Sequence, residues 1–245
     1  MAGLEKGRLC RYGPEDSTVL NFERGVGEKF NTKHAIATNG GTSSLIVGLY
    51  AAGIGLGDEV IVPAYTWVAT PSSVVIANAV PIIAEIDNSL TIDPEDIEAK
   101  ITPRTRAIIP VHMIGVPSNM LAIKAIADKH DLLVIEDCAQ AIGAGYGGKR
   151  LGTHGHIGCF SLQQSKIITT GEGGIVITDD RRYADRARMI HDGGNLWGIS
   201  PHSDAFFPGM NFRMAEMRGA VASVQLTRLD GFLEKMQDRQ RNFSK

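Results

Sequence analysis

Seven short apolar runs, with helix-like segments between them, restrict the fold of this chain more than any other feature. They cover residues 35–38, 59–64, 81–86, 107–112, 132–137, 159–163 and 174–178. Several are continuous rather than alternating, as in Leu132-Leu133-Val134-Ile135. A strand with one face in water alternates apolar and polar residues, whereas a strand covered on both faces need not. The runs therefore predict buried strands. Helices are expected over 43–52, after a Gly-Gly-Thr turn, and over 93–100, where Pro94 suits a first helical turn. A third is expected over 118–130, with Ser118 as a candidate N-cap. This alternation predicts an α/β fold with a largely parallel sheet. Residues 215–240 read as one long helix with a stripe of Met217, Val221, Val224, Arg228, Leu229 and Phe232.

Composition narrows the partners. Lys and Arg number 25 against 27 Asp and Glu, a formal charge of -2. That balance gives no general attraction to nucleic acid or to an acidic membrane. No apolar stretch approaches the ~20 residues of a membrane span. The first residues, Met1-Ala2-Gly3-Leu4-Glu5-Lys6-Gly7-Arg8, lack the apolar core of a signal peptide. Cys10, Cys138 and Cys159 are too few and too scattered for a disulfide framework, so a reducing compartment, the cytoplasm, is expected.

Three segments carry possible chemistry. Thr38-Asn39-Gly40-Gly41-Thr42-Ser43-Ser44 follows a strand and opens a helix. Backbone N–H groups at such a start can cradle a phosphate, or the segment is a tight turn with a Ser/Thr cap. Val134-Ile135-Glu136-Asp137-Cys138-Ala139-Gln140 closes a strand with two carboxylates. Ligand sites in open α/β sheets lie at such ends, and a carboxylate there can hold a charged ring nitrogen or simply cap the turn. Lys166 lies between a strand and the Gly-rich 171–174 turn, where desolvation would make it a nucleophile or base unless it is a solvated surface group. Trp67 can stack on a flat ligand or pack in the core. The stretch 143–148 spells a dinucleotide motif, but no helix follows it. His154, His156 and Cys159 suggest no fourth ligand, and no metal is expected.

Taken in order, these segments resemble the DegT/DnrJ/EryC1/StrS sugar aminotransferases, which use pyridoxal 5′-phosphate. The resemblance rests on Asn39-Gly40-Gly41-Thr42-Ser43, on residues 53–63 and 101–108, on Glu136-Asp137-Cys138-Ala139-Gln140, on 161–174, and on Met210-Asn211-Phe212-Arg213-Met214. It implies the large domain of fold-type I, with a seven-stranded, mostly parallel sheet between helices. Its implied organisation is an N-terminal arm and helix over 1–30, a cofactor-binding domain over 31–213, and a long helix over 214–245 leading to a small domain that this chain lacks.

The resemblance also implies roles. Lys166, five residues after Ser161, would bond the cofactor covalently. Asp137 would pair with the ring nitrogen and Gln140 would lie near the phenolic oxygen. Trp67 would stack on the ring, and Gly41, Thr42, Ser43 and Ser161 would hold the phosphate. Asn211 would reach the phosphate of a neighbouring subunit, implying a homodimer with shared sites. The implied reaction moves an amino group from glutamate or glutamine to a keto-sugar or keto-cyclitol. Gln163 before Lys166 resembles the cyclitol branch. The alternatives are a sugar dehydratase, whose pattern replaces the lysine by histidine, and a non-catalytic cofactor-binding or dimerising domain.

Overall fold

The computed structural model describes residues 7, 9–10, 17–196, 198–201 and 208–243. The expected N-terminal arm falls mostly outside them, and its helix is α1 (Thr18–Phe30). There follow β1 (His34–Thr38), α2 (Gly41–Ala51), β2 (Glu59–Pro63), α3 (Ala69–Ile76), β3 (Val80–Ala84), α4 (Pro94–Ala99) and β4 (Thr105–Ile108). Then come α5 (Met120–Lys129), β5 (Leu133–Asp137), β6 (Gly145–Tyr146), β7 (Lys149–Arg150), β8 (Ile157–Ser161), β9 (Gly174–Thr178), α6 (Arg181–His191) and α7 (Glu216–Phe243). No helix among the described residues is long and apolar enough to cross a membrane.

The seven-stranded sheet has the order β1-β9-β8-β5-β4-β2-β3. Strands β3, β2, β4, β5 and β8 pair in parallel, while β9 runs against β8 and β1. All seven predicted runs are strands of this sheet, and six are largely buried as their composition implies, whereas β3 at the sheet edge leaves Val80 and Ile83 exposed. Ile36 and Val176 enter a core on one face, and Ala35, Ala37, Ile175 and Ile177 enter a second core on the other. The run 107–112 yields strand only to Ile108. Pro110 has no N–H for a ladder, though its carbonyl still accepts from Asp137 N at 2.9 Å. The run 159–163 is displaced to Ile157–Ser161. Gly158 hides the strand's start, and it is needed there because a Cβ would meet the backbone of Gly152.

Several expectations are corrected. Helix α5 is capped by Asn119, whose side chain accepts from Ala122 N at 3.2 Å, and not by Ser118, whose hydroxyl donates to Val111 O at 3.1 Å. The rejected stretch 143–148 contributes to a hairpin, β6–β7, whose turn glycines Gly147 and Gly148 have φ of 54° and 83°. Both positive angles fit a two-residue hairpin turn. Helix α2 starts at Gly41, not at 43. Along α7, Met217, Val221 and Val224 are exposed. The inward stripe is Ala222, Leu226 and Leu229, which share a core with Val19, Phe22 and Val26 of α1. Leu229 of the expected stripe is buried and Phe232 packs against the same core, while packing against α1 turns Met217, Val221 and Val224 outward in favour of Ala222 and Leu226.

Glu216, at the start of α7, is buried and serves the other helix. Its carboxylate accepts from Ser17 Oγ at 2.7 Å, Thr18 N at 2.6 Å and Val19 N at 3.2 Å. Acid at a helix N-terminus satisfies the unpaired amides and suits the helix dipole. The carboxyl ends of β1, β2, β4, β5 and β8 lie along one edge of the sheet, with the amino end of antiparallel β9, and their following segments build the site.

Candidate active site

A cavity of about 330 Å³ opens at that edge. One wall is the start of α2. Gly40, the residue before the helix, supplies no side-chain cap. The first intrahelical bond runs from Ser44 N to Gly40 O at 3.0 Å, so the amides of Gly41, Thr42 and Ser43 have no acceptor within the helix. Gly41 is required by contact: a Cβ there would lie 2.7 Å from Ser161 Cβ and 2.9 Å from its Oγ. Gly41, Thr42 and Ser161 line the cavity, and they form an anion cradle that a side chain at 41 would fill. Ser43 does not line it, and its hydroxyl donates to Asn39 Oδ1 at 2.6 Å.

Lys166 sits on the loop between β8 and β9. Leu162 N donates to Gly173 O at 2.8 Å and Thr170 N to Leu162 O at 3.0 Å, closing the loop at its base. Gln163 Oε1 accepts from Ser165 N at 2.8 Å and Ser165 Oγ at 2.7 Å, and Lys166 N donates to Gln163 O at 2.9 Å. The lysine is half-buried, lines the cavity, and its amine has no ion-pair partner among the described residues.

Asp137 ends β5 inside the same cavity and is 5% exposed. Ala139 N donates to Oδ1 at 3.0 Å and Thr70 Oγ1 to Oδ2 at 2.8 Å. Burial pushes its carboxyl above the usual range, opposed by the Ala139 amide, the Thr70 hydroxyl and the charge of Lys166. Trp67, 70% exposed, also lines the cavity and is not a core residue. Gln140 lines it as well, with Oε1 accepting from Ile114 N at 3.0 Å.

Asn211 lies elsewhere. It is exposed, pairs through its backbone with Asp192, and takes no part in the cavity of its own chain. It does not cap α7 either, which begins at Glu216.

Among the described residues, most groups that could ligate a metal are engaged in the protein's own hydrogen bonds. His156 Nδ1 accepts from Val134 N at 2.9 Å, and Cys159 Sγ donates to Ser44 O at 3.4 Å. Potential ligand atoms of His112, Glu136 and Cys138 lie within 4.8 Å of one another. However, His112 Nδ1 accepts from Ser118 N at 3.1 Å, so Nε2 carries the proton and donates to Glu136 Oε2 at 3.1 Å. Glu136 also accepts from Gly152 N at 2.8 Å, His154 N at 2.7 Å and Gly155 N at 2.6 Å. Burial pushes the Cys138 thiol well above its usual range, keeping it neutral.

Sequence reasoning missed Thr66 and Glu172, which line the cavity, and Thr70, buried behind it and bonded to Asp137. The threonines gave one usable signal, a spacing of four at the start of an unrecognised helix.

A family model described as the DegT/DnrJ/EryC1/StrS aminotransferase family matches residues 3–245. The L-glutamine:2-deoxy-scyllo-inosose aminotransferase of Streptomyces kanamyceticus is 40% identical over 241 residues, 94% of this chain and 56% of that protein. GDP-perosamine synthase of Caulobacter vibrioides is 42% identical over 218 residues, 88% of this chain and 58% of that protein. The structure of NtdA from Bacillus subtilis with bound cofactor PMP superimposes with a TM-score of 0.84 at 32% identity, covering 92% of this chain and 50% of that one. The chain thus spans little more than half the length of these relatives.

Proposed function

The chain belongs to the DegT/DnrJ/EryC1/StrS aminotransferase family, and from this we propose that it is the cofactor-binding part of a pyridoxal 5′-phosphate-dependent aminotransferase. The proposed reaction moves an amino group from glutamate or glutamine to a keto-sugar or keto-cyclitol. The observation that carries this reading is the convergence of three unlike groups on one cavity: the α2 amides, the Asp137 carboxylate and the Lys166 amine. When bound, the cofactor supplies an electron sink and a carrier for the amino group.

The chain's own residues have separable tasks. Gly41, Thr42 and Ser161 hold the phosphate with backbone and hydroxyl donors, and Ser43 contributes its amide while its hydroxyl stays on Asn39. Asp137 keeps the ring nitrogen protonated at its carboxylate. Trp67 covers the ring and limits water. Lys166 would hold the cofactor at Nζ, and the same amine would move the proton that amino transfer requires. The presence of a lysine at 166 favours amino transfer over the dehydratase reaction. The similarity to a cyclitol aminotransferase and to GDP-perosamine synthase supports a keto-cyclitol or keto-sugar acceptor.

The chain divides, in this reading, into an arm and helix over 1–30, a large domain over 31–213 and a long helix over 214–245 directed at a small domain. The three cysteines are free thiols, in keeping with the cytoplasm. Asn211, exposed and outside its own cavity, is assigned to the phosphate of a second copy, so the working unit is a homodimer.

Binding is tested by visible absorbance of the purified chain with pyridoxal 5′-phosphate, then borohydride reduction and peptide mapping. The label is expected on Lys166, and a label on Lys149 or Lys124 instead overturns the assignment. Sharing of sites is tested by mixing inactive Lys166→Ala and Asn211→Ala chains from an active parent. Mixed dimers hold one site with both lesions and one with neither, so activity should return. Subunit exchange without any recovery removes Asn211 from its role.

A further inference from the structure

We propose that Thr70 is a positioning residue for Asp137, and that Thr66 completes a two-hydroxyl chain which runs from the cavity wall and holds the carboxylate in one direction. The proposal deepens the cofactor reading above and rests on it for its meaning. Its geometry stands on the chain's own residues.

The direction of the chain follows from proton counting. An ionised carboxylate only accepts, and a threonine hydroxyl has one proton to give. Thr70 Oγ1 lies 2.8 Å from Asp137 Oδ2, so its proton is spent there. Thr66 Oγ1 lies 2.7 Å from Thr70 Oγ1, and it is therefore the donor of that pair. Donation to Thr70 polarises its O–H and strengthens the bond onward to Asp137. Ala139 N takes the other carboxylate oxygen. One donor from α3 and one from the segment after β5 thus fix the plane of the carboxylate, leaving lone pairs for the cavity side.

The placement follows from the fold. Thr66 and Thr70 are four apart across the start of α3, which brings both hydroxyls to one side. Thr70 is 0% exposed, while Thr66 is half-buried and lines the cavity. The charged or titratable groups around Asp137 are His112, which follows β4, Lys166 on the loop after β8, Glu136 beside it on β5, and the thiols of Cys138 and of Cys159 on β8, which burial pushes well above their usual range. None of them replaces a hydroxyl lost at 70: His112 donates to Glu136, and Lys166 is the group assigned to the cofactor.

The competing role for Thr70 is steric filling at a buried site, and valine would fill it equally well. Thr70→Val and Thr70→Ser separate the two. In the chain without cofactor, the carboxyl of Asp137 is followed by carbon NMR as a function of pH. Losing a hydrogen bond to the charged form should raise its titration midpoint by about one pH unit in Thr70→Val, and serine should restore it. In parallel, absorbance titration with pyridoxal 5′-phosphate should show affinity about tenfold weaker in Thr70→Val and within about threefold of the parent in Thr70→Ser. Thr66→Val should move both readouts the same way by roughly a third as much.

A Thr70→Val chain whose Asp137 midpoint stays within about 0.3 pH unit of the parent overturns the proposal. So does a folded Thr70→Ser chain that behaves like Thr70→Val. Should Thr70→Val fail to fold, Thr70→Ala, which also lacks the hydroxyl, is read in its place, and a midpoint within about 0.3 pH unit of the parent there refutes the proposal equally. Failure of the parent itself to bind the cofactor would instead refute the proposed function, and the NMR result would still judge Thr70.

Discussion

Glu136 and Asp137 are consecutive carboxylates at the end of β5, both buried, and the strand turns them to opposite faces. On one face Glu136 accepts four donors, two on each oxygen. A carboxylate has about four lone-pair sites, so nothing is left for a ligand. On the other face Asp137 accepts two donors and borders a cavity. Burial is common to both. What distinguishes Asp137, the carboxylate proposed to serve the cofactor, is acceptor capacity left open toward space that a ligand can enter. Glu136 instead staples the 152–155 segment and His112 to the strand, and so fixes the floor under Asp137.

The sharpest way to break this comparison is to exchange the consequences of the two side chains. Asp137→Asn should lower turnover by roughly 10²–10³-fold, because an amide cannot hold the ring proton as a carboxylate does. Its unfolding midpoint should change little. Glu136→Ala should do the reverse, costing about 3–5 kcal/mol of stability by leaving His112 and three amides unpaired. Parallel denaturant melts and half-transamination assays decide. If Asp137→Asn unfolds the chain and Glu136→Ala leaves it stable, the assignment of roles is inverted.

A smaller and subtler difference appears with pH in the chain without cofactor. Burial pushes Glu136 upward, but the His112 bond and the amides of Gly155 and Gly152 outweigh it, so the group sits below its usual range. Its contribution is present above the ordinary glutamate value and is lost as pH falls through the lowered folded-state value. The penalty of Glu136→Gln should therefore shrink on acidification. Asp137 is raised, so the folded state binds its proton more readily and loses stability as pH rises through the raised value. The stability of Asp137→Asn relative to the parent should climb over that window and then level. Melts between about pH 3 and 7 test both slopes, and slopes of the same sign would contradict the contrast.

The smallest effect lies just beyond the Glu136 staple. His154 gives its backbone N–H to Glu136, but its Nε2 is buried with no hydrogen-bond partner. Its ring meets Tyr146 edge-on at 5.8 Å. His154→Phe keeps the ring contact and removes the orphaned nitrogen, so it should stabilise the chain by about 1 kcal/mol. A loss of stability in a thermal melt would mean that the nitrogen has a partner in solution.

The interior strands were legible because both their faces are covered, which imprints itself as unbroken runs such as Leu133-Val134-Ile135; edge strand β3, with Val80 and Ile83 exposed, was legible from its β-branched residues. Helix α3 was not legible: Val68, Val74, Val75 and Ile76 are β-branched residues that favour strands, and only packing at the cavity makes the segment helical. Helix α6 was hidden differently. Its arginines dominate the sequence, while Tyr183, Ala184, Ala187 and Ile190 are buried. Within the site, Gly41, Asp137, Ser161 and Lys166 stood out because strand ends and Gly-rich turns are visible punctuation. Thr70 did not, since a lone threonine has no distinguishing pattern until the fold places it 67 residues back along the chain from its partner.

The carboxylate of Glu216 satisfies the amino end of α1 across a separation of 198 residues. Strand β1 has the same dependence, because its neighbour in the sheet is β9, reached at Thr178 opposite His34. During synthesis at about 5–20 residues per second, α1 and β1 leave the ribosome roughly 10–40 seconds before their partners exist. For that interval Phe22, Val26 and Phe30 have no core to enter. Helix α1 and strand β1 are thus held in trust by residues made later, and chaperones that recognise exposed apolar segments should find both in the nascent chain.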